Sequence, residues 1–308
     1  MKKKKGNKML KIILIIVCIL LVLFMALICW LPSVVMTGSR QTLEEAFAWQ
    51  TEHYDTSFYD TLQKTDYTVT GSDGYILHAE LLENPKPSTE YVIITHGYTD
   101  NRFGALKYVP AYLDLGFNCI IYDLRGHGEN ERTFTTYGIR EALDLECLIE
   151  DTRQRYPGLT MLGLHGESLG AATTVTVLEY RPQVDFAVSD CGFSDIENVL
   201  REGFRHSGVP QFLFSLSDFG ARIRYHYALK DMRPIDSLDD NEIPVLFLHG
   251  EEDDMILPKN SEDMAARTKG RSEFHTIPGA GHAESVIVDP VLYEHYLADF
   301  LGRHGKEE

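Results

Sequence analysis

Leu164–Gly170 reads LHGESLG, and the role of Ser168 within it decides how the rest of the chain is read. Ser168 is either a nucleophile held on a strained turn or one small residue in an ordinary strand-to-helix turn. The preceding TMLGLH is a short apolar run suited to a buried strand, and the following LGAATTV is a helix of small residues. Gly166-Glu167-Ser168-Leu169-Gly170 therefore sets a G-x-S-x-G pattern at a strand-to-helix junction. A strand that turns at once into a helix forces its middle residue into an unfavourable backbone conformation and pushes that side chain outward. Glycines two residues before and after let strand and helix close without Cβ clashes. The hydroxyl also stands at a helix N-terminus, where developing negative charge is favoured.

A serine hydroxyl needs a base and an acid to orient that base. The run IPVLFLHG ends in His249-Gly250-Glu251-Glu252-Asp253-Asp254, and a last strand over Arg271–Ile277 leads into PGAGHAES, which contains His282. The order serine, acid, histidine is the one this architecture uses. Asp253 and Asp254 compete for the acid's role; successive residues point differently, and the G-x-x-D spacing favours Asp253. The oxyanion formed during acyl transfer needs two backbone donors. One is the N–H of Leu169, directly after the nucleophile, and the other is assigned to Tyr98 in the loop His96–Asp100 after YVIIT.

Working outward, FNCIIYD and DFAVSD add further apolar runs that suit strands buried on both faces. Helical segments are expected at Phe103–Leu115, Ile139–Tyr156, Leu169–Tyr180, Asn260–Thr268 and Pro290–Leu301. Such alternation predicts a mostly parallel sheet with helices on both faces. Upstream, YTVT and YILHAELL about Gly71–Gly74 read as a β-hairpin. Residues 192–241 interrupt the alternation with seven aromatic residues and no strand signal, which predicts a small helical cap over the sheet's carboxyl edge. His96, His165 and His249 each precede a glycine at a strand end and are read as turn braces. His127 and the remaining histidines are read as surface or loop residues. Asp123-Leu124-Arg125-Gly126-His127-Gly128 lacks a phosphate loop's lysine and is read as a turn bracing the sheet edge.

The first eleven residues carry six lysines, and Ile12–Leu31 is an unbroken apolar run of twenty residues with Pro32 expected to close it. Twenty residues rise about 30 Å, the thickness of a bilayer's hydrocarbon core. A cleaved secretory signal would carry a shorter apolar region and a small-x-small cleavage site, so an uncleaved anchor is the preferred reading. Lysines ahead of the span place the N-terminus in the cytoplasm and the rest outside. Without those six, the 29 basic residues fall to 23 against 46 acidic ones, which argues against nucleic-acid binding. Cys119, Cys147 and Cys191 are singly spaced and read as buried structural thiols, with no metal-ligand pattern and no disulfide framework. The organisation expected is a basic segment at 1–11, a span at 12–31, a helical stalk at 32–65 capped by Ser39 or Thr42, a domain at 66–302 and a tail at 303–308.

HGYTDN, DLRGHG, GESLG, HGEEDDMI and GAGH, in that order between residues 66 and 301, resemble the corresponding loops of the α/β-hydrolase superfamily. The chain is most similar to membrane-anchored bacterial members akin to serine aminopeptidases, lysophospholipases and Bem46-like proteins. The resemblance implies an α/β-hydrolase fold, a Ser168-Asp253-His282 mechanism through an acyl-enzyme, and no cofactor. It leaves the substrate open among esters, thioesters and amides, since members share chemistry more than specificity. The aromatic cap favours a carboxylesterase or lipase-like role. A serine aminopeptidase-like peptidase and a non-catalytic scaffold serving as a surface binding protein are the alternatives.

Overall fold

The computed structural model describes residues 2–304, with side chains from Lys8 to Arg303. The side chains of the basic segment up to residue 7 and the expected tail from residue 305 lie outside the described residues. Eight strands form one sheet: β1 (Lys64–Thr70), β2 (Ile76–Leu82), β3 (Glu90–Thr95), β4 (Asn118–Tyr122), β5 (Met161–Glu167), β6 (Phe186–Asp190), β7 (Val245–Gly250) and β8 (Ser272–Ile277). Their order is β1-β2-β4-β3-β5-β6-β7-β8. β1 and β2 pair antiparallel through the Gly71–Gly74 turn and β2 lies antiparallel on β4, while every pair from β4 across to β8 is parallel.

The helices are α1 (Lys2–Met36), α2 (Leu43–His53), α3 (Ser57–Thr61), α4 (Val109–Asp114), α5 (Ile139–Arg155), α6 (Leu169–Val177), α7 (Ile196–His206), α8 (Gln211–Arg224), α9 (Lys259–Arg267), α10 (Ser285–Val288) and α11 (Pro290–His304). Strand residues alternate between two cores. Ile93, Ile120, Val245 and Phe247 meet α5, α6 and α9 on one face. Val92, Ile94, Ile121, Leu246 and Leu248 meet α4 and α11 on the other. Both faces of the inner strands are covered, so β4 to β7 are buried along their whole length, whereas the edge strands β1 and β8 carry polar, partly exposed residues. The segment expected as one helix from Phe103 to Leu115 is a 3-10 turn over Arg102–Tyr108 followed by α4, with Pro110 in the first turn of α4.

The stalk packs on the domain. Thr42, not Ser39, caps α2: its hydroxyl accepts from Glu45 N–H at 3.2 Å and Glu45 returns a bond to Thr42 N–H at 2.8 Å. Phe47 and Tyr59 meet Phe103 at ring separations of 5.3 and 5.7 Å. Pro32 does not close the first helix, which continues to Met36. Proline removes only one backbone donor. Gly220 of α8 packs on the turn before Pro32, where a Cβ would stand 2.1 Å from the Ile28 carbonyl oxygen. Met36 is fully buried in the domain core. Cys119 and Cys191 are buried as expected, but Cys147 is half-buried, because it lies toward the edge of α5 and not on its core face.

The turn after β4 braces the sheet edge through a buried ion pair. Arg125 donates to both oxygens of Asp144 on α5, at 2.9 Å from Nε and 2.7 Å from Nη2, and its guanidinium lies 4.3 Å from the centre of the Tyr75 ring. Removing one partner of such a pair leaves the other charge buried alone. Arg125→Met should therefore lower unfolding free energy by about 3–5 kcal/mol, read as the denaturation midpoint of the purified protein. A loss below about 1 kcal/mol would show that the pair does not anchor the turn.

Candidate active site

The sheet order reverses at β3, whose neighbours are β4 and β5. Helices leave opposite faces on either side of such a point, which opens a crevice at the strands' carboxyl ends. β3 and β5 are in register with Thr95 opposite Gly166, so the loop after β3 stands beside Ser168. Ser168 has φ 52° and ψ −111°, a conformation that side chains beyond glycine rarely adopt. Its N–H donates to Asp190 O at 2.9 Å and its carbonyl starts α6 by accepting from Ala172 at 3.0 Å. The flanking glycines are needed for space: a Cβ on Gly166 would lie 2.1 Å from Gly170 O, and one on Gly170 would lie 2.1 Å from Thr95 O.

Three loops from three strand ends meet at this turn. Ser168 Oγ is 2.9 Å from His282 Nε2, and His282 Nδ1 is 2.7 Å from Asp253 Oδ2. Asp253 is buried, whereas Asp254 faces solvent. The other Asp253 oxygen accepts from the N–H groups of Met255 and Ile256 at 3.0 and 2.8 Å. Burial pushes the Asp253 carboxyl up, but the hydrogen bonds from His249 and His282 and the charge of His282 outweigh it and hold the group well below the usual carboxylate range. His249 braces a turn, as expected, and the turn is the acid's own. Its Nε2 faces Ile256 O at 2.6 Å and Asp253 Oδ2 at 3.1 Å, and its Nδ1 faces Ser261 Oγ at 2.7 Å.

The loop His96–Asp100 lies against the nucleophile; a Cβ on Gly97 would be 3.8 Å from Ser168 Cβ. Tyr98 is fixed at both ends. Its carbonyl meets His127 Nε2 at 2.6 Å, and its phenol donates to Val35 O at 2.6 Å while accepting from Gly38 N–H at 3.0 Å. His127 is a loop residue, as expected, but a buried one and not at the surface, because the Arg125–Gly128 turn folds inward under this loop. Its Nδ1 faces Arg125 O at 2.9 Å, and burial with the nearby Arg40 pushes its pKa down to about 4 against the Tyr98 and Arg125 carbonyls. His96 braces its turn by accepting from Leu124 N–H at 2.9 Å. His165 braces no turn: it lies inside β5, buried against Tyr112 at 3.0 Å. Leu169 is the first residue of α6, where a backbone N–H has no acceptor within its own helix. The cavity lined by Leu178, Arg181, Asn241 and Lys269 lies at the opposite, amino edge of the sheet.

A mostly parallel sheet that presents a serine on a strained turn beside an acid and a histidine from later strand ends is the α/β-hydrolase architecture. Within it the chain belongs to the prolyl oligopeptidase family, whose model matches residues 105–306. It is 29% identical over 250 residues to YqkD of Bacillus subtilis, covering 79% of this chain and 81% of that protein. It is 21% identical over 277 residues to bem46 of Schizosaccharomyces pombe, covering 89% and 84%. The Pyrococcus furiosus esterase Pf2001 superposes with a TM-score of 0.66 at 22% identity, over 82% of this chain and 96% of the esterase. Est1E of Butyrivibrio proteoclasticus, solved with ferulic acid, superposes at 0.62 and 18% identity, over 77% and 99%. These structures share the fold, and the family match adds the class: a serine hydrolase.

A buried charge network behind the nucleophile was not foreseen from sequence. Lys107 Nζ lies 2.5 Å from Glu167 Oε2 and donates to Ala283 O at 2.7 Å, tying the residue before Ser168 to the one after His282. Burial pulls the lysine's pKa down, but Glu167 outweighs it and keeps the ammonium charged. Tyr108 Oη lies 2.9 Å from both Glu167 Oε2 and Asp190 Oδ2. One hydroxyl hydrogen serves one carboxylate, so the other must supply its own. Glu167 has the lysine as counter-ion, which makes Asp190 the one to hold a proton at acidic pH; burial, with the charge of Glu167, pushes its pKa up from 3.8 to about 6. The folded state therefore binds more protons than the unfolded one between those values, and this contribution to stability is lost as pH rises through the folded pKa. Asp190→Asn keeps an acceptor for Tyr108 without the titration. Its unfolding free energy relative to wild type should rise from about pH 4 to about pH 6 and then level off; a flat difference would mean Asp190 is ionised throughout.

Proposed function

We propose that the protein is a membrane-anchored, carboxylesterase- or lipase-like serine hydrolase that works through an acyl-enzyme on Ser168. The observation that carries this reading is the continuous hydrogen-bond chain from Asp253 through His282 to Ser168, with 2.7 and 2.9 Å links. His282 takes the proton from Ser168 as Oγ attacks the carbonyl carbon of an ester, thioester or amide, and returns it to the leaving group. Asp253 holds the tautomer with Nδ1 protonated and stabilises the imidazolium. Backbone N–H groups of Leu169 and Tyr98 receive the oxyanion, an interaction worth about 3–4 kcal/mol per donor. Water, activated by the same histidine, then releases the acid. The reading needs no cofactor.

An ester is favoured over an amide because Phe193, Phe204 and Phe214 of the 192–241 segment join the same apolar core as Leu169 and Tyr137, surroundings suited to an acyl group. Membership of the prolyl oligopeptidase family supports a peptidase as the second reading. A binding protein without chemistry is the weakest, since it would have no use for the buried acid and the strained serine together.

Anchoring is supported by α1. Its residues Lys8–Met36 form a helix long and apolar enough to cross a membrane, near the N-terminus. The end of that helix is integrated with the domain: Ile28 and Met36 are buried, and Val35 O accepts from both Tyr98 and Tyr137 at 2.6 and 2.5 Å. A leader peptide removed after the span would leave these partners open. Lysines ahead of the span place the N-terminus in the cytoplasm and the hydrolase domain outside.

A fluorophosphonate probe should label the full-length protein in detergent and fail on Ser168→Ala, and Ser168→Ala should reduce kcat on p-nitrophenyl esters by at least about 10⁴-fold. Asp253→Asn should cost about 10³- to 10⁴-fold while Asp254→Asn stays within about twofold. Folded wild-type protein that never labels would refute the catalytic reading, and equal losses at 253 and 254 would refute the choice of acid. A faster rate on aminoacyl amides than on esters of graded chain length would favour the peptidase.

A further inference from the structure

The cap and the apolar helix pack together. α8 packs on the last turns of α1: Gly220 lies against Ile28 and Pro32, and Arg224 Nη1 donates to Cys29 O at 2.7 Å and to Ser33 Oγ at 2.6 Å. The α1 side chains from Lys8 to Leu27 remain exposed. If Ile12–Leu31 fills the hydrocarbon layer, α8 stands at the level of the outer headgroups. The face of α8 that packs inward is Phe214, Ser217, Gly220 and Ala221. On its other face Phe212, Phe219 and Ile223 are 68%, 52% and 40% exposed, at spacings of seven and four residues that share one helical stripe. On α1 at the same level, Trp30 and Val34 are 59% and 57% exposed, a second apolar surface at that depth. A soluble domain rarely leaves such a patch to water.

Charge points the same way. Beyond Lys11 the chain holds twice as many acidic as basic residues, but α7 and α8 together carry four arginines against three acids. Arg222, paired with Asp218 at 2.6 Å, and Arg224, bonded to α1, flank the exposed stripe, the arrangement of a helix that lies in an interface with its apolar side in the acyl region and its arginines at headgroup level.

We propose that α8 is an interfacial helix seated in the same outer leaflet that α1 crosses, so that the cap opens the site toward lipid and the substrate is a membrane-resident acyl ester. This rests on the hydrolase and anchor readings above and deepens them. Phe214 and Ala221 on the inner face of α8 share one apolar cluster with Phe193, Tyr137 and Leu169, the residue after the candidate nucleophile. The route proposed for an acyl chain from the leaflet to Ser168 runs along this apolar core. The occupant of the stripe is the bilayer itself, and a second copy of the chain is the alternative the test addresses.

The test uses the full-length protein reconstituted in phosphatidylcholine–phosphatidylglycerol vesicles with and without acyl-chain-brominated lipid. One variant carries Phe219→Trp with Trp30→Phe and Trp49→Phe, and a second retains Trp30 alone. Bromolipid should quench both, and aqueous iodide should quench neither. Quenching of Trp30 by bromolipid with quenching of the residue-219 tryptophan by iodide would overturn the interfacial helix while leaving the anchor intact. Quenching of neither by bromolipid would overturn both. In the same vesicles, the triple variant Phe212→Ser, Phe219→Ser, Ile223→Ser should keep fluorophosphonate labelling and the rate on soluble p-nitrophenyl acetate. It should lose about tenfold or more on vesicle-embedded p-nitrophenyl palmitate. An unchanged palmitate rate, or iodide protection that depends on protein concentration as a self-associated stripe would show, would contradict the proposal.

Discussion

Everything at the candidate site depends on one backbone constraint, the turn at Ser168 where β5 becomes α6 without an intervening loop. Its φ of 52° is a conformation that costs energy for a serine and that packing on all sides must hold in place. That packing is specific. Gly166 and Gly170 let the strand, the helix and the end of β3 approach within distances that no Cβ would allow. The result is a hydroxyl raised out of the sheet edge at a helix N-terminus, with the Leu169 N–H beside it. The elbow fixes one point in space, and the loops after β3, β7 and β8 are arranged around it.

A strained turn at a crevice is held by what lies beneath it. Glu167 sits below the serine with Lys107 as its counter-ion, and Lys107 reaches on to the carbonyl beside His282. Nucleophile and base are thereby tied through one ammonium group, in addition to their own hydrogen bond. His249 does the same for Asp253 and its loop. Buried charge of this kind costs desolvation and is tolerated when fully paired; its return is geometric, because each member fixes a different loop. The candidate oxyanion loop is tied further out, through the Tyr98 phenol, to the last turn of the apolar helix. The mouth of the site and the end of that helix therefore form one packed unit.

Much of this was legible in the sequence, for a physical reason. Strands buried on both faces read as continuous apolar runs, and in a parallel sheet the chemistry collects at their carboxyl ends, so GESLG, HGEEDD and GAGH could be placed without knowing the strand order. Asp253 was separable from Asp254 by its distance from the glycine that ends β7, and the structure buries the first and exposes the second. What stayed hidden were partners set by sheet order. Glu167 lay within the motif and Asp190 at the end of an apolar run, which marks both as charged residues entering a buried edge; Lys107, within a helical pattern, gave no signal. The burial of His127 was hidden because nothing local shows that its turn folds inward. Pro32 looked like a stop because it removes a backbone donor, but Gly220 packs on Ile28 and Pro32 from far along the chain and holds the last turns of α1 against the domain.

The central claim is that Ser168 becomes acylated during turnover. The most direct measurement is rapid-quench mass spectrometry of the full-length protein mixed with a p-nitrophenyl ester, with peptide mapping of the quenched enzyme. The account predicts a burst of p-nitrophenolate matching the enzyme present and an acyl group on the peptide that carries Ser168, gained and lost at the rate of turnover. Turnover with an unmodified Ser168 peptide, or with the acyl group on another residue, would contradict it.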